Sequence, residues 1–548
     1  MHMDPLTGVL VLLYLIMIGY LGYQGFRGTR NVTDYLVAGR QIHPFVMALS
    51  YGATFISTSA IVGFGGAAAI FGMGILWLTF LNIFVGIFIA FVFLGGPTRA
   101  MGHHLDAHTF PELLGKRFQS KFIQVFAGIV IILFMPLYTA VVSMGIARFM
   151  EVEFQINYEV SLFFFTAIVA LYVVMGGLKG VMYTDALQGS IMFIGMLAIL
   201  VLTYAKLGGI IDAHESLSSF TEVAVSAMGA KGHQGWTSMP TFGSPYWWVL
   251  VSTIVMGVGI GVLAQPQLAV RYMTVKSRKE LNHAVLIGGV FILVMTGVAF
   301  VVGALSNVFF LNDPDVGKFS IAAAGGVTGK IIPMFIDKYM PGWLGSVIFV
   351  TLLAAAMSTV SSQFHAMGTA AGRDIYGVLS GKTSSASAIL PTRIGIVLTL
   401  LFATALAYVL PKVYKEAGET IIASGTALFF GLCCSTFLPM YVGALYWRGI
   451  TKAGAITGSL AGFLASAFWL LFAHEKESSA LLLCSKIFGT PSLFLGENGP
   501  VVTGKIIWMV VDPLFIGFPV AILVTIVVSL CTPRFSEEHL DQCFAHRR

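Results

Sequence analysis

Thirteen apolar runs, each close to or above the roughly 20 residues that a helix needs to cross a bilayer, occupy most of this chain. They fall at about 6–25, 45–71, 73–96, 121–149, 158–176, 183–206, 246–265, 283–310, 343–372, 391–410, 420–447, 453–473 and 508–531. Charge is too scarce for the alternative. Of 548 residues only 10% are charged and 57% are hydrophobic, and a soluble domain of that length needs far more charge to cover its surface. The chain is therefore read as an all-α polytopic membrane protein. Its start, MHMDPLTGVLVLLYLIMIGYLGY, lacks a basic leader and runs into a stretch long enough to span, so the first helix is expected to stay. Cys433, Cys434, Cys484, Cys531 and Cys543 form no CxxC pair and no even-numbered framework; they read as packing residues.

An odd number of spans places the two termini on opposite sides. With the N-terminus outside, the cytoplasmic segments hold 20 of the 31 Lys and Arg residues, among them Arg40, Arg99, Lys116, Arg117, Lys179, Arg271, Arg373, Lys382, Arg448, Arg547 and Arg548. Glu151, Glu153, Glu159, Asp212, Glu215 and Glu222 fall on the outer face. The expected location is a cell (inner) membrane with the C-terminus cytoplasmic. The net charge of +6 then belongs to loops that face anionic lipid, not to a nucleic-acid surface.

Two spans are interrupted alike. Residues 50–66 read SYGATFISTSAIVGFGG and residues 255–267 read VMGVGIGVLAQPQ, both rich in glycine, hydroxyls or proline at membrane depth. Backbone unwinds inside a bilayer only where protein or a watery cavity satisfies it. Paired broken helices in corresponding positions of two halves point to a transporter's central site. Close helix packing at small residues is the plainer reading of the same glycines. A third stretch, LAAAMSTVSS at 353–362, places Ala355, Ser358 and Ser362 on one helical stripe, with Thr359 and Ser361 beside it. Such hydroxyls often bond back to their own helix. Together with carbonyls freed by an unwound segment, they also form the neutral oxygen cluster that a hard monovalent cation requires.

These residues carry a resemblance. DYLVAGRQIHPFVMALSYGATFIST (34–58), GGLKGVMYTDALQGSIM (176–192), AQPQLAVRYM (264–273) and the LAAAMSTVSS stretch resemble the sodium/solute symporter family, nearest its proline, pantothenate and monocarboxylate permeases. The resemblance implies a LeuT-like five-plus-five inverted-repeat core in a single domain, 1–548. It divides into an extra N-terminal helix at 6–25, a first repeat at 45–206, a second at 246–447 and two C-terminal helices at 453–531. It also implies Na+ as the coupling ion, held by carbonyls of Ala53, Ile56 and Ala355 and hydroxyls of Ser358 and Thr359. Some family members use a further sodium site; Asp185, Ser361 and Ser362 stand in its places here, with Ser358 shared. A helix cap or gating contact at the cytoplasmic end is the alternative role for Asp185.

A solute pocket is expected at the midplane between the two breaks, lined by Phe55, Ser57, Thr58, Thr79, Asn82, Tyr138, Thr253 and Met256. Proline permeases carry an aspartate where this chain has Phe55, which tilts the expected solute towards a monocarboxylate or pantothenate-like organic acid; proline or another amino acid is the alternative. No lysine or arginine is expected at the pocket's depth, and Arg148 is expected to snorkel at the outer interface. The tract HHLDAH at 103–108 has metal-ligand residue types without a regular ligand spacing, so it reads as a solvated or lipid-facing loop. Segments 208–245 and 474–507 are expected to pack as gates or lids. No catalytic constellation appears at membrane depth, so an enzyme is not expected. The partners expected are a small organic solute, sodium ions and the lipid bilayer, with one chain sufficient to form the site. A solute sensor with a separate signalling partner is the rival of another class.

Overall fold

The computed structural model describes residues 5–381, 389–413, 421–496, 499–500 and 507–545, and leaves aside the side chains of 170–176, 389, 413, 421, 424, 476, 480, 481, 495, 496, 499, 500 and 507. Lys382, Arg547 and Arg548 lie outside the described residues. Eleven helices there are long and apolar enough to cross a membrane. One of them, Ser59–His104, carries the second half of the second expected span and the whole of the third, parted at Gly72, whose φ of 67° only glycine adopts freely. The fifth and sixth expected spans are two helices within Tyr158–Lys206 that meet at Gly177, whose backbone (φ 60°, ψ 173°) is not helical; of the two, Gly177–Lys206 is long enough to cross. Among the described residues the strands are limited to one antiparallel pair, Leu495–Gly496 with Gly499–Pro500.

Local chemistry sets where several helices start. Ser120 caps Lys121–Glu153, Thr451 caps Lys452–Phe468, and Ser277 with Glu280 forms a capping box that opens Arg278–Asn312. Burial then sorts the spans. The ninth, Gly342–Ser380, is 94% buried over its apolar window, whereas Pro5–Gly28, Lys452–Ala473 and Leu514–Cys531 are only 17–28% buried. The ninth is the axis of the molecule, and the others present their apolar faces to lipid. Against it pack the Tyr158–Lys206 segment and Pro44–Phe55, the first half of the second span.

The two expected breaks differ in kind. The second span stops at Phe55, passes through extended backbone at Ile56 (φ −93°, ψ 105°) and resumes as Ser59–Gly63 and Phe64–Phe71. In the seventh the glycine-rich stretch stays wound, as a π-helical segment Val249–Gly257 followed by Val258–Gly261. It opens only at Gln265, just before Pro266. Its glycines serve close packing: a Cβ on Gly261 would lie 2.5 Å from the Phe430 carbonyl oxygen, and one on Gly259 2.7 Å from the Leu81 side chain.

The basic segments gather at one end. There Arg40 pairs with Asp106 at 3.1 Å, Lys116 with Glu112 at 3.0 Å and Arg448 with Asp541 at 3.1 Å. At the other end Arg148 pairs with Glu151 at 2.6 Å and stands 4.3 Å over the Tyr158 ring, so it is held by partners rather than left to snorkel. Two arginines counted as loop residues are corrected by the fold: Arg117 and Arg271 are fully buried. The HHLDAH tract is not simply a solvated loop either, because His108 is buried against Glu112 and Arg373. Cys433, Cys434, Cys484 and Cys543 are buried, but Cys531 is exposed. The 208–245 segment covers the end of the second span: Trp236 is fully buried and donates its indole N–H to the Ala69 carbonyl at 2.7 Å.

Candidate functional site

The break in the second span lies directly against the ninth span. Ser358 Oγ is 2.9 Å from the Ala53 carbonyl oxygen and 3.2 Å from that of Ala355. Thr359 Oγ1 is 3.3 Å from the Ala53 oxygen and 3.1 Å from that of Thr54. Ile56 follows at the point where the helix opens. Four of the five expected sodium-site residues thus meet through oxygen atoms, all fully buried, with Ile56 at the adjoining turn. The set contains no formal charge. Neutral oxygens converging from a helix end and a facing helix suit a hard monovalent cation such as Na+, which needs its hydration shell replaced at little cost.

One turn further along the ninth span the environment changes sign. Arg271, at the end of the broken seventh span, enters the core and donates from Nη2 to Asp185 Oδ2 at 2.9 Å, to Thr54 Oγ1 at 2.6 Å and to Ser362 Oγ at 2.6 Å. Its Nε donates to Ser50 Oγ at 3.0 Å, and that hydroxyl in turn donates to Asp185 Oδ2 at 2.8 Å. Asp185 and Ser362 therefore meet, and the cation beside them is an arginine of the chain itself. Asp185 Oδ1, also buried, has no partner among the described residues. Ser361 bonds back to the Ser358 carbonyl at 3.2 Å. A buried pair of this kind holds together because each charge is desolvated and the hydroxyls satisfy what the partner does not.

Beside the break lies a void of about 20 Å³, room for about one water. Phe55, Asn82 and Tyr138 line it as expected, together with Ser59, Phe64, Val258 and Phe430, which sequence reasoning did not name. Phe430 ties the walls: its ring centroid is 6.3 Å from Phe55 and 5.2 Å from Tyr138. Asn82 Oδ1 is buried without a partner. No residue lining the void carries a charge.

The remaining expected pocket residues are elsewhere. Ser57 Oγ is 2.6 Å from Ser59 Oγ, and Thr58 donates to the Val142 carbonyl at 2.6 Å, so both fix the break to its surroundings. Thr79 lines a separate groove of about 540 Å³ between the third, sixth and eighth spans. Thr253 and Met256 sit in the π-helical segment, and Val258 meets the void in their stead. A π turn spends extra residues per turn, which rotates the faces beyond what a regular helix predicts. Among the described residues no cluster of His, Cys, Asp and Glu could hold a metal ion.

The model of the sodium:solute symporter family matches residues 35–462. A sodium/proline symporter of Staphylococcus aureus is 26% identical over 546 residues, covering 96% of this chain and 93% of the relative, and that of strain JH9 is 27% identical over 539 residues. Among solved structures, a Na+-coupled sialic acid symporter in a substrate-bound outward-open state superposes with a TM-score of 0.73. It shares 18% identity over 97% of this chain and 99% of its own, a likeness of fold. That fold is the LeuT-like inverted-repeat architecture, and the chain belongs to the sodium:solute symporter family, multi-pass membrane carriers coupled to Na+.

Proposed function

We propose that the chain imports a small organic acid, a monocarboxylate or pantothenate-like solute, by sodium-driven alternating access. The observation that carries this reading is the neutral oxygen cluster joining Ala53, at the helix break, to Ser358 and Thr359. Sodium bound there braces the second span against the ninth and completes the adjoining void, so ion and solute stabilise one closed arrangement. Phe55 and Ile56 belong to both regions, which couples the two occupants through one turn of backbone. The void, which has room for about one water here, widens to take the solute, and its uncharged, aromatic lining leaves a solute carboxylate to be balanced by sodium itself and by the amide of Asn82. In this reading the N-terminus is outside, the C-terminus is cytoplasmic, and one chain suffices for the site.

A second ion at Asp185 is supported by its Oδ1, buried and without a partner among the described residues, while Arg271 and Ser362 hold Oδ2. Proline or another amino acid is the second reading of the solute, favoured by the relatives called sodium/proline symporters.

The test is uptake of radiolabelled pantothenate, pyruvate, acetate, proline and a sugar into proteoliposomes, under an inward sodium gradient and under an equal choline gradient. Accumulation of one organic acid only with sodium is expected. Accumulation of proline instead selects the second reading, and no accumulation in either salt despite sodium binding favours a sensor.

A further inference from the structure

A second void, about 20 Å³, is lined by Ser362 and Arg271 on the side of the sodium cluster and by His108 and Thr109 on the other, with Gln267 and Thr369 on its walls. It points from the sodium cluster to the basic end of the molecule, three residues beyond Thr359. Several buried polar atoms in or near it have no partner: Gln267 Oε1, Gln363 Nε2, His365 Nε2 and Asp374 Oδ2. Orphaned polar groups on and around a void mark places that water or an ion satisfies in another state of the protein.

The far side of the void is closed by a short helix, Phe110–Arg117, which Thr109 caps. This helix is fastened to the end of the ninth span. Arg373 grips the Glu112 carboxylate in bidentate fashion, Nε to Oε2 at 2.8 Å and Nη2 to Oε1 at 3.0 Å. Next to it Thr109 Oγ1 donates to Asp374 Oδ1 at 2.7 Å, and Gln124 reaches the same oxygen at 2.9 Å. Lys116 and the backbone N–H of His108 complete the carboxylate's shell. Burial pushes the Glu112 carboxyl up, but Arg373 and Lys116 outweigh it and hold the carboxyl down at about 2, so the pair stays charged at every physiological pH. The ninth span is π-helical at Ala370–Gly377, the stretch that presents both Arg373 and Asp374. Such segments interrupt a helix where function needs side chains re-aimed.

We propose that Phe110–Arg117 is the inner gate of the ion path and that the Glu112–Arg373 pair, with the Thr109–Asp374 bond, is its latch. The latch rests on the carrier reading above and on its orientation, with the basic end cytoplasmic. Opening it frees the floor of the void while the ninth span, which also carries Ser358 and Thr359, stays in place. Release at the gate is thereby tied to the element that holds the ion.

The test introduces Thr369→Cys in the void and measures its labelling by a membrane-impermeant maleimide. The reagent is applied to the basic face in inside-out vesicles, and the labelled peptide is quantified by mass spectrometry. Adding Glu112→Gln or Arg373→Gln is expected to speed labelling about tenfold or more, while Cys484, buried at the opposite end, keeps its parent rate. Should either variant fail to fold, Thr109→Val is expected to give a smaller acceleration of the same kind. Labelling at the parent rate in all variants, or Cys484 rising in step with Thr369→Cys, overturns the latch. The same assay in sodium and in choline reads the carrier separately. Acceleration by the variants with no response of the parent to sodium leaves the latch standing and removes sodium coupling.

Discussion

On the proposed reading, Ser358 has two jobs that a single substitution separates. Its hydroxyl donates to the Ala53 carbonyl, a contact worth about 1 kcal/mol to the fold, and it is one of few oxygens offered to the ion. Ser358→Ala is therefore expected to cost little stability in choline but to weaken sodium binding at least tenfold, about 1.4 kcal/mol. Thermal unfolding in detergent checks both, since an ion at 100 times its dissociation constant adds about 2.7 kcal/mol. The wild type should gain that increment from sodium, and the variant should need much more sodium for it. Arg271 is the opposite case. Its replacement by Gln leaves Asp185 buried and unpaired, and breaking such a pair costs about 3–5 kcal/mol. Loss of folded protein, measured as detergent-soluble yield and melting temperature in choline, is the expected outcome; a variant as stable as wild type would show that the pair is dispensable for folding.

Helix seams in this fold are set by glycines that the chain cannot enlarge. Gly303, in Arg278–Asn312, faces the second half of the second span so closely that a Cβ would lie 2.0 Å from the Gly65 carbonyl oxygen. Backbone cannot yield as a side chain does, so Gly303→Ala is expected to destabilise by about 1–3 kcal/mol. Gly289 in the same helix has nothing within 4 Å of its Cβ position, and there the substitution should be neutral or stabilising. Melting temperatures of the two variants side by side check this. The same contrast shows what was legible in the sequence. Apolar run length gave thirteen spans where eleven described helices are long enough to cross, and the hydroxyl stripe at 353–362 pointed to the face of the ninth that meets the break at Ala53, because both follow from local composition and period. The seventh span was read as broken at its glycines, but a glycine run looks the same whether it unwinds or admits a neighbour; only the facing Phe430 and Leu81 decide. Arg271 was read as a loop residue because the turn at Gln265–Pro266 sends the chain back into the core, a direction that no local pattern encodes. One signal was present: a buried acid such as Asp185 needs a counter-charge, and Arg271 follows one of the two broken spans.

Energy coupling in the whole molecule depends on how many ions the two polar regions hold. One sodium with a monocarboxylate anion moves no net charge, so a tenfold sodium gradient, worth about 1.4 kcal/mol, would sustain only about tenfold accumulation, whatever the membrane potential. Two sodium ions, one at the Ala53–Ser358–Thr359 cluster and one at Asp185 Oδ1, carry one net positive charge inward with the same anion. Each 100 mV then adds about 2.3 kcal/mol, or about fiftyfold in accumulation. Because Asp185 keeps one buried oxygen free of partners among the described residues, two ions are the expected stoichiometry. The measurement is solute accumulation in proteoliposomes at fixed sodium gradient, with the potential set by potassium and valinomycin. A rise of about fiftyfold per 100 mV places the second ion. A flat response with an anionic solute leaves one ion in the cycle, and Arg271 is then the only counter-charge that Asp185 needs.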